Sequence, residues 1–415
     1  MDSIPVGMKE TNCLGCGGAL PDAFLDLGNN PLANAYVRPE HAHLREETFP
    51  LAVAFCSECY LVQLMHRVPP IEMFDEYLYF SSYSDSVLAH ARSMAETLTK
   101  QFRLGPTSHV LEIASNDGYL LQYFLERGIP VLGVEPASNI AAWAESRGIP
   151  TLQRFFGLNV VGEIREKLGQ ADLVIGNNVL AHVPTINDFL QAVKACLKPT
   201  GTAVFEFPYV KELLERIEFD TIYHEHVFYF SLTAIKNLVE RAELELVDVS
   251  HQPVHGGSLR IFFTHKNAQS VAPLVPVMLD QEQASGLTTV QRHAAFRDDV
   301  QALKKALLGM LRGLKASGKR LAACGAPAKG NTLLNYCGIG TDLLEFTVDR
   351  SPHKQGLLLP GSRVPIRHPQ VLTEEMPDYT MILPWNIAEE IIDQQKEYRH
   401  RGGKFIIPIP QPVIV

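Results

Sequence analysis

Short apolar runs alternate with amphipathic stretches through the middle of the chain. The pattern predicts strands at residues 109–113, 131–135, 171–176 and 201–207, and helices near 86–102, 117–127, 138–147, 158–168 and 185–197. Strands that alternate with helices build a mainly parallel sheet, and open sheets of this kind bind ligands at the carboxyl ends of their strands. We therefore predict an α/β fold with a ligand site at that edge.

The first two of these strands hold the pattern with the most chemistry. The first leads into the turn Glu112-Ile-Ala-Ser-Asn-Asp-Gly118, and the second ends at Glu135. A turn with glycine lets a ligand approach the backbone, and an acid at the tip of the second strand can accept hydrogen bonds from two ribose hydroxyls. Because the turn is not GxGxxG, it favours a nucleoside without phosphates, commonly S-adenosylmethionine. A purely structural turn is the alternative.

A second α/β unit is predicted towards the C-terminus. After a linker-like stretch at 266–285 and a long helix with one apolar face at 290–314, strands are predicted at 320–324, 345–349, 379–383 and 404–407. The turn Gly325-Ala-Pro-Ala-Lys-Gly-Asn331 follows the first of them. It lacks the GKS/T ending of a P-loop, but a lysine and glycines at a helix N-terminus suit a phosphate or pyrophosphate. A structural turn is again the alternative.

Two CxxC pairs occupy the N-terminal segment: Cys13 with Cys16, and Cys56 with Cys59. Such pairs indicate a tetrahedral zinc site, because each tight turn directs two thiolates at one ion. Four thiolates fill the coordination sphere, so the Zn2+ is predicted to be structural. The remaining three cysteines make the count odd, which favours a reducing, cytoplasmic location.

Histidines and tyrosines are concentrated at 219–230, around Tyr223-His-Glu-His226. Acid–base or hydrogen-bonding chemistry is the favoured interpretation, because imidazole titrates near neutrality. An HxH metal pair is a weaker alternative, since Glu225 separates the histidines on a presumed strand and no third ligand is evident. A further alternative is that these histidines have only a structural role. Residues 74–84, which are dense in tyrosine and serine, either form a packed connector or place a tyrosine at the mouth of a site.

The length and the net charge of the chain exclude some classes of function. A chain of 415 residues is expected to form two or three domains, and its formal net charge of −9 gives no electrostatic reason to bind nucleic acid or an anionic membrane. No apolar run is long enough to cross a bilayer, and no signal peptide is expected. We expect no nucleic-acid or membrane partner, and a monomer or small homo-oligomer.

In this order, the motifs resemble those of the S-adenosylmethionine-dependent nucleotide-sugar C-methyltransferases of branched deoxysugar biosynthesis. The resemblance covers essentially the whole chain and includes the CxxC pairs, the turn 112–118, Tyr223 to His226, His255-Gly-Gly-Ser-Leu-Arg260 and Gly325 to Asn331. It implies a zinc-binding lobe at 1–72, a Rossmann-like class I methyltransferase domain at 73–265, and a C-terminal α/β domain at 266–415 that contributes to nucleotide-sugar binding.

The resemblance also implies a reaction. A ketone at C4 of a nucleotide-linked deoxysugar acidifies the C3 proton, a base removes that proton, and the enolate carbon attacks the methyl group of S-adenosylmethionine. The family's base matches His226. Neighbouring positions at the sugar and cofactor match Glu225, Tyr223 and His182, and a tyrosine after the zinc lobe is expected there, with Tyr77 slightly preferred to Tyr79. Small-molecule O- or N-methylation, or NAD-dependent nucleotide-sugar oxidation, are alternatives.

Further contacts follow from the same resemblance. Cofactor contacts are expected from Glu112, Asn116, Gly118, Glu135 and Asn178. Nucleotide-sugar contacts are expected from Arg260, Lys329, Asn331, Arg350 and Lys354. Asn116 and Asp117 stand where the commoner methyltransferase turn has glycines, which is a departure from the general motif but not from this family.

Overall fold

The structure is a computed structural model that describes residues 9–69, 73, 80–254 and 256–415. Tyr77, Tyr79 and His255 lie outside the described residues. Within the described ranges the strands form three sheets, of four, seven and six strands. No helix in these ranges is long and apolar enough to cross a membrane.

The regular elements are as follows. The strands in chain order are β1 (Leu25–Asn30), β2 (Phe49–Phe55), β3 (Val62–Leu64), β4 (Val110–Ile113), β5 (Val131–Val134), β6 (Thr151–Leu152), β7 (Ala171–Asn177), β8 (Leu197–Pro208), β9 (Phe228–Tyr229), β10 (Leu244–Gln252), β11 (Ser258–His265), β12 (Leu321–Cys324), β13 (Thr347–Val348), β14 (Ile366–Arg367), β15 (Tyr379–Ile382), β16 (Lys404–Ile407) and β17 (Val413–Ile414). The α-helices are Asp85–Gln101, Leu121–Leu125, Ser138–Ser146, Val161–Lys167, Ile186–Cys196, Val210–Glu215, Leu232–Arg241, Leu274–Ala284, Val290–Ala316, Ala328–Cys337, Val371–Glu375, Ala388–Gln394 and Lys396–His400.

The seven-stranded sheet confirms the predicted α/β fold. Its order is β10-β11-β8-β7-β4-β5-β6. The five strands from β8 to β6 are parallel, and β10 and β11 are antiparallel and complete one end. The strands β4, β5 and β7 therefore end at the same edge, where open α/β sheets bind ligands.

The helix after β4 is shorter than predicted, because it begins only at Leu121 and ends at Leu125. The residues before it form a turn in which Asn116 and Gly118 have left-handed backbone angles, with φ of 49° and 78°. A left-handed residue cannot continue a right-handed helix. The turn is consequently open at the point where a ligand would approach.

The four-stranded sheet combines the zinc lobe with a strand from far along the chain. Its order is β1-β2-β3-β9, and β9 follows directly after the Tyr223 to His226 motif. The motif itself lies in turns rather than in the strand that we predicted. Its side chains therefore do not alternate between two sheet faces, and their directions depend on the turns.

The six-stranded sheet has the order β14-β13-β12-β15-β16-β17. The predicted linker at 266–285 is wrong, because Leu274–Ala284 forms a helix whose buried Glu282 caps the start of the helix Leu232–Arg241. Next, the helix Val290–Ala316 packs on the zinc lobe, where the ring of His293 stacks 3.9 Å from that of Phe55. A continuous apolar core contains residues from all three sheets.

Candidate functional site

A cavity of about 260 Å³ lies at the carboxyl ends of β4, β5 and β7. Its lining combines apolar side chains with a small number of polar groups, as is usual for cofactor sites. The polar residues that line it include Ser81, Asn116, Glu135, Arg154, Asn177, Asn178, His182 and Thr185. The predicted cofactor contacts Asn116, Glu135 and Asn178 are therefore brought together, and His182 joins them.

Glu135 lies at the tip of β5, where backbone N–H groups orient its carboxylate. Oε2 accepts the N–H of Asn116 at 3.0 Å, and Oε1 accepts the N–H of Ala137 at 3.0 Å. Burial raises the pKa of Glu135 to about 7, although these two hydrogen bonds oppose the shift. Each carboxylate oxygen has a further lone pair that can accept a hydrogen bond from a ribose hydroxyl.

Asn116 and Gly118 have different structural roles in the turn that follows β4. Asn116 lines the cavity, and its Oδ1 accepts the N–H of Ser81 at 2.9 Å. Gly118 does not line it. A Cβ at Gly118 would lie 2.1 Å from Cδ1 of Ile149, so this glycine is required for close packing of the turn.

Glu112 is buried and does not line the cavity, although its neighbours Ile113 and Ala114 do. Its Oε2 has no hydrogen-bond partner among the described residues. Burial, followed by the charges of Asp117 and Glu135, raises the pKa of Glu112 well above its usual value. A buried carboxyl oxygen without a partner suits a site that a polar ligand group or water completes, and its cofactor contact stays a prediction.

Asn178 and His182 extend the cavity from the end of β7 towards the histidine motif. Asn178 has φ of 54°, and its N–H donates to the carbonyl oxygen of Glu206 at 2.8 Å. Burial lowers the pKa of His182 to about 4, so its ring is neutral near neutral pH. The ring of His182 meets that of His226 edge to face, with centroids 4.8 Å apart. Through His182, the histidine motif adjoins the cavity.

His226 is held through both ring nitrogens. Nδ1 lies 3.0 Å from the carbonyl oxygen of Thr221, which can only accept, so Nδ1 carries the proton. Nε2 lies 2.7 Å from the hydroxyl of Tyr223. In a neutral ring Nε2 is therefore the basic atom, and the hydroxyl donates to it.

Glu225 interacts with residues from the N-terminal lobe and from the C-terminal segment. Its Oε1 accepts from Nδ2 of Asn34 at 2.6 Å, and burial raises the pKa of Glu225 to about 7 against the effects of Asn34 and of the positive charge of Lys354. Nζ of Lys354 donates to the carbonyl oxygen of Ala326 at 2.9 Å and lies 5.1 Å from the ring centre of Tyr36. The charge of Lys354 therefore acts on Glu225 of the histidine motif.

Lys329 is enclosed rather than directed at an open anion site. Its Nζ donates to Oδ1 of Asn386 at 2.5 Å and lies 4.6 Å from the ring centre of Trp385. Burial lowers the pKa of Lys329, although Asp220 and Glu218 oppose the shift. The expected phosphate contact is therefore not visible in this arrangement.

The rest of the predicted phosphate edge is also engaged within the protein. Nδ2 of Asn331 donates to the carbonyl oxygen of Ala33 at 2.6 Å, and the N–H of Ala326 donates to Oδ2 of Asp349 at 2.7 Å. Arg350 is exposed. The contact of Asn331 with Ala33 joins the C-terminal segment to the N-terminal lobe, and roles in nucleotide binding stay predictions.

Arg260 is not an edge-strand residue, because β11 lies between β10 and β8. Its guanidinium is buried and makes an ion pair with Oε1 of Glu206, whose Oε2 lies 2.8 Å from Nε2 of His90. In this geometry the charge of Arg260 neutralises Glu206. An anion-binding role for Arg260 stays a prediction.

The four predicted zinc ligands converge. The Sγ atoms of Cys13 and Cys59 are 3.5 Å apart, those of Cys16 and Cys56 are 3.6 Å apart, and all four lie within 4.8 Å of one another. Tetrahedral zinc with Zn–S bonds of about 2.3 Å requires sulfur atoms roughly 3.8 Å apart. The cysteines fit Zn2+, and they form the one such group found in the described ranges.

Several site residues were not recognised from the sequence. Asn34, Tyr36 and Arg154 belong to none of the motifs described above, and Ser81 lies in the stretch 74–84, which the sequence left open between a connector and part of a site. Asn177, by contrast, directly follows the predicted strand 171–176, where the ligand site was expected, and its Nδ2 donates to the hydroxyl of Tyr119 at 3.2 Å. The contact of Asn34 with Glu225 spans 191 positions, and no local pattern indicates it.

Family models match three consecutive parts of the chain. They describe a zinc binding domain at residues 13–74, a methyltransferase domain at 87–249, and a C-methyltransferase C-terminal domain at 253–410. A protein of Streptomyces niveus, C-methyltransferase NovU, is 39% identical over 407 residues, which is 97% of this chain and 96% of that protein.

Solved methyltransferase structures show weaker likeness. Magnesium protoporphyrin IX methyltransferase of Synechocystis PCC 6803, with bound S-adenosylmethionine, is 11% identical, and the match covers 44% of this chain and 82% of that one with a TM-score of 0.33. The Burkholderia thailandensis 1,6-didemethyltoxoflavin-N1-methyltransferase is 18% identical, with coverage of 45% and 81% and a TM-score of 0.34. Likeness at this level says nothing about the substrate of this chain.

Proposed function

Because the chain belongs to the C-methyltransferase family, with S-adenosylmethionine as methyl donor and a zinc-binding N-terminal domain, we propose that its acceptor is C3 of a nucleotide-linked 4-keto-deoxysugar. A ketone at C4 makes the C3–H bond acidic enough for a protein base to break it. Methylation of an oxygen or a nitrogen would not require a base directed at carbon.

The pairing of His226 with Tyr223 beside the cofactor cavity is the observation that supports this proposal most strongly. A carbon acid requires a base whose unprotonated atom has a defined direction. The Thr221 carbonyl holds the proton on Nδ1, which leaves Nε2 as the basic atom, and the Tyr223 hydroxyl that donates to Nε2 has to turn aside before Nε2 takes a substrate proton. The edge-to-face contact with His182, which lines the cavity, supports a position for this base next to the proposed methyl-donor site.

Each neighbouring side chain has a role in the proposed reaction. S-adenosylmethionine, when bound, supplies an electrophilic methyl group. His226 takes the C3 proton at Nε2, and C3 bonds to the methyl carbon as the methyl–sulfur bond breaks. The Tyr223 hydroxyl, which lies 2.7 Å from Nε2 of His226, would donate to the developing enolate oxygen once it has turned from Nε2. Glu225, with its pKa near 7, can hold or release a proton close to neutral pH.

We propose that the nucleotide lies on the side of the C-terminal domain. Lys354 provides positive charge near Glu225, and the exposed Arg350 precedes it on the same loop. The division into 1–72, 73–265 and 266–415 is likewise a proposal. Zinc would be held by the four cysteines in a closed sphere, away from the reaction.

Calorimetry and isotope exchange test this function. We expect the purified protein to bind S-adenosylmethionine and one of thymidine or guanosine diphosphate at separate sites. With the matching 4-keto-deoxysugar nucleotide and S-adenosylhomocysteine in deuterium oxide, we expect exchange at C3. Methylation of an oxygen or nitrogen acceptor, without exchange at carbon, would contradict the proposal.

Replacement of Glu135 by Gln is expected to weaken S-adenosylmethionine binding by about 10- to 100-fold, because an amide provides one acceptor oxygen instead of two charged ones. Glu126→Gln, on the surface of the same domain, is a matched control and should leave Kd unchanged. Calorimetric Kd values measure both. An unchanged Kd for Glu135→Gln would remove Glu135 from the cofactor site.

The affinity for S-adenosylmethionine should also depend on pH. Ribose hydroxyls bind the ionised carboxylate, whereas burial raises the pKa of Glu135 in the free protein to about 7. Binding must then displace a proton below that pH, so Kd is expected to rise up to tenfold per pH unit as the pH falls from 7 towards 5. Glu135→Gln should lose this dependence.

A further inference from the structure

Asp220 and Trp385 form a buried contact between the methyltransferase domain and the C-terminal domain. Nε1 of Trp385 donates to Oδ2 of Asp220 at 2.8 Å. Asp220 is fully buried, in the single turn of 3-10 helix Phe219–Thr221. A buried carboxylate with a directional donor fixes the backbone that carries it.

A lysine and a second acid complete this cluster. Lys329 lies over the ring of Trp385, and its positive charge opposes the burial that raises the pKa of Asp220 to about 6. Glu218 is also buried, and its carbonyl oxygen accepts from the N–H of Thr221 at 3.1 Å and from Oγ1 of Thr221 at 2.8 Å. The charged groups around Asp220 and Glu218 include Lys329, Arg216 and Glu212.

The same turn presents the carbonyl that orients the catalytic histidine. The carbonyl oxygen of Thr221 accepts from Nδ1 of His226 at 3.0 Å, and Nε2 of His226 faces the hydroxyl of Tyr223. A rotation of the Thr221–Ile222 peptide would remove the acceptor that keeps the proton on Nδ1. The N–H of Ile222 holds this peptide by donating to the carbonyl oxygen of Phe219 at 3.1 Å, and Asp220, the residue before Thr221, ties the same turn to Trp385.

We infer that Trp385 and Lys329 are positioning residues, which act through Asp220 and the Thr221 carbonyl to keep Nε2 of His226 unprotonated and directed at the substrate. This inference rests on the proposed function, in which His226 is the base. It gives Lys329 a role that differs from the phosphate contact predicted for its turn.

The variant Trp385→Phe tests the inference, because it keeps the ring but removes the donor to Asp220. We expect kcat to fall about 10-fold with KM and S-adenosylmethionine affinity within twofold, and the pH profile of kcat to shift. Tyr398→Phe is the matched control: it removes a hydroxyl that donates to the carbonyl oxygen of Pro377 within the same domain, without contact to the 219–221 turn. It should leave kcat and the pH profile unchanged.

Nitrogen-15 spectra of histidine-labelled protein give a second readout that does not depend on turnover. The His226 signals, assigned by their absence from His226→Asn, should show a protonated Nδ1 in the full-length protein and a mixture of tautomers in Trp385→Phe. Asp220→Asn, which retains an oxygen to accept from Trp385, should show a smaller change and covers the case that Trp385→Phe does not fold. An unchanged tautomer and pH profile in these variants would overturn the inference. Full activity of His226→Asn would instead refute the proposed base and leave the tautomer measurement to decide the positioning.

Discussion

His226→Asn is expected to reduce turnover by about 1,000-fold while S-adenosylmethionine affinity stays within twofold of the unaltered protein. General-base catalysis contributes roughly 10²- to 10⁴-fold, and asparagine has no atom that can take a proton at neutral pH. Its side-chain N–H can replace Nδ1 as donor to the Thr221 carbonyl. The measurement is kcat with the nucleotide sugar selected by calorimetry, combined with the calorimetric Kd for the cofactor.

The control for this substitution is His251→Asn. His251 is exposed and contacts Glu212 at 3.0 Å, outside the cavity and the histidine motif. We expect its kcat to equal that of the unaltered protein. If His226→Asn kept full activity, His226 would not be the base. A parallel loss of cofactor affinity would indicate a damaged site rather than missing base chemistry.

Cys56→Ser is expected to release the zinc ion, unfold the N-terminal lobe and abolish activity. Structural zinc contributes roughly 10 kcal/mol or more in small zinc domains, which is comparable to the ~5–15 kcal/mol that separates a whole domain from its unfolded state. Activity should be lost with the lobe, because its loop supplies Asn34 to Glu225 and Ala33 to Asn331. Zinc content, thermal unfolding and amide exchange over residues 24–65 measure the effect.

Cys196→Ala provides the comparison, because Cys196 is buried in the methyltransferase core outside the zinc cluster. It should keep one zinc ion and lose about 1 kcal/mol of stability. Retention of a full equivalent of zinc and an unchanged Tm in Cys56→Ser would show that the four cysteines do not form the predicted site. Loss of activity with a folded lobe would instead assign the metal a catalytic role.

The outcome at individual residues shows which kinds of prediction the sequence supports. The strand ending at Glu135 and the CxxC pairs were predicted from spacing of a few residues, and the structure brings each to its expected place. The linker at 266–285 was predicted from weak periodicity, and it is wrong because Leu274–Ala284 is helical. A helix with few buried apolar residues has no strong 3.6-residue pattern, so its sequence resembles a linker.

The chain by itself determined the alternation of strand and helix, the four thiolates and the identity of the histidine motif, because each depends on residues close together in sequence. Only the tertiary structure decided what surrounds those groups. Asn34 reaches Glu225, Trp385 reaches Asp220, and Lys329 is enclosed between domains, each across more than a hundred positions. The reason is physical: hydrophobic periodicity specifies which face of an element is buried, but the pKa of a carboxyl or the direction of an imidazole depends on which distant side chains pack against it.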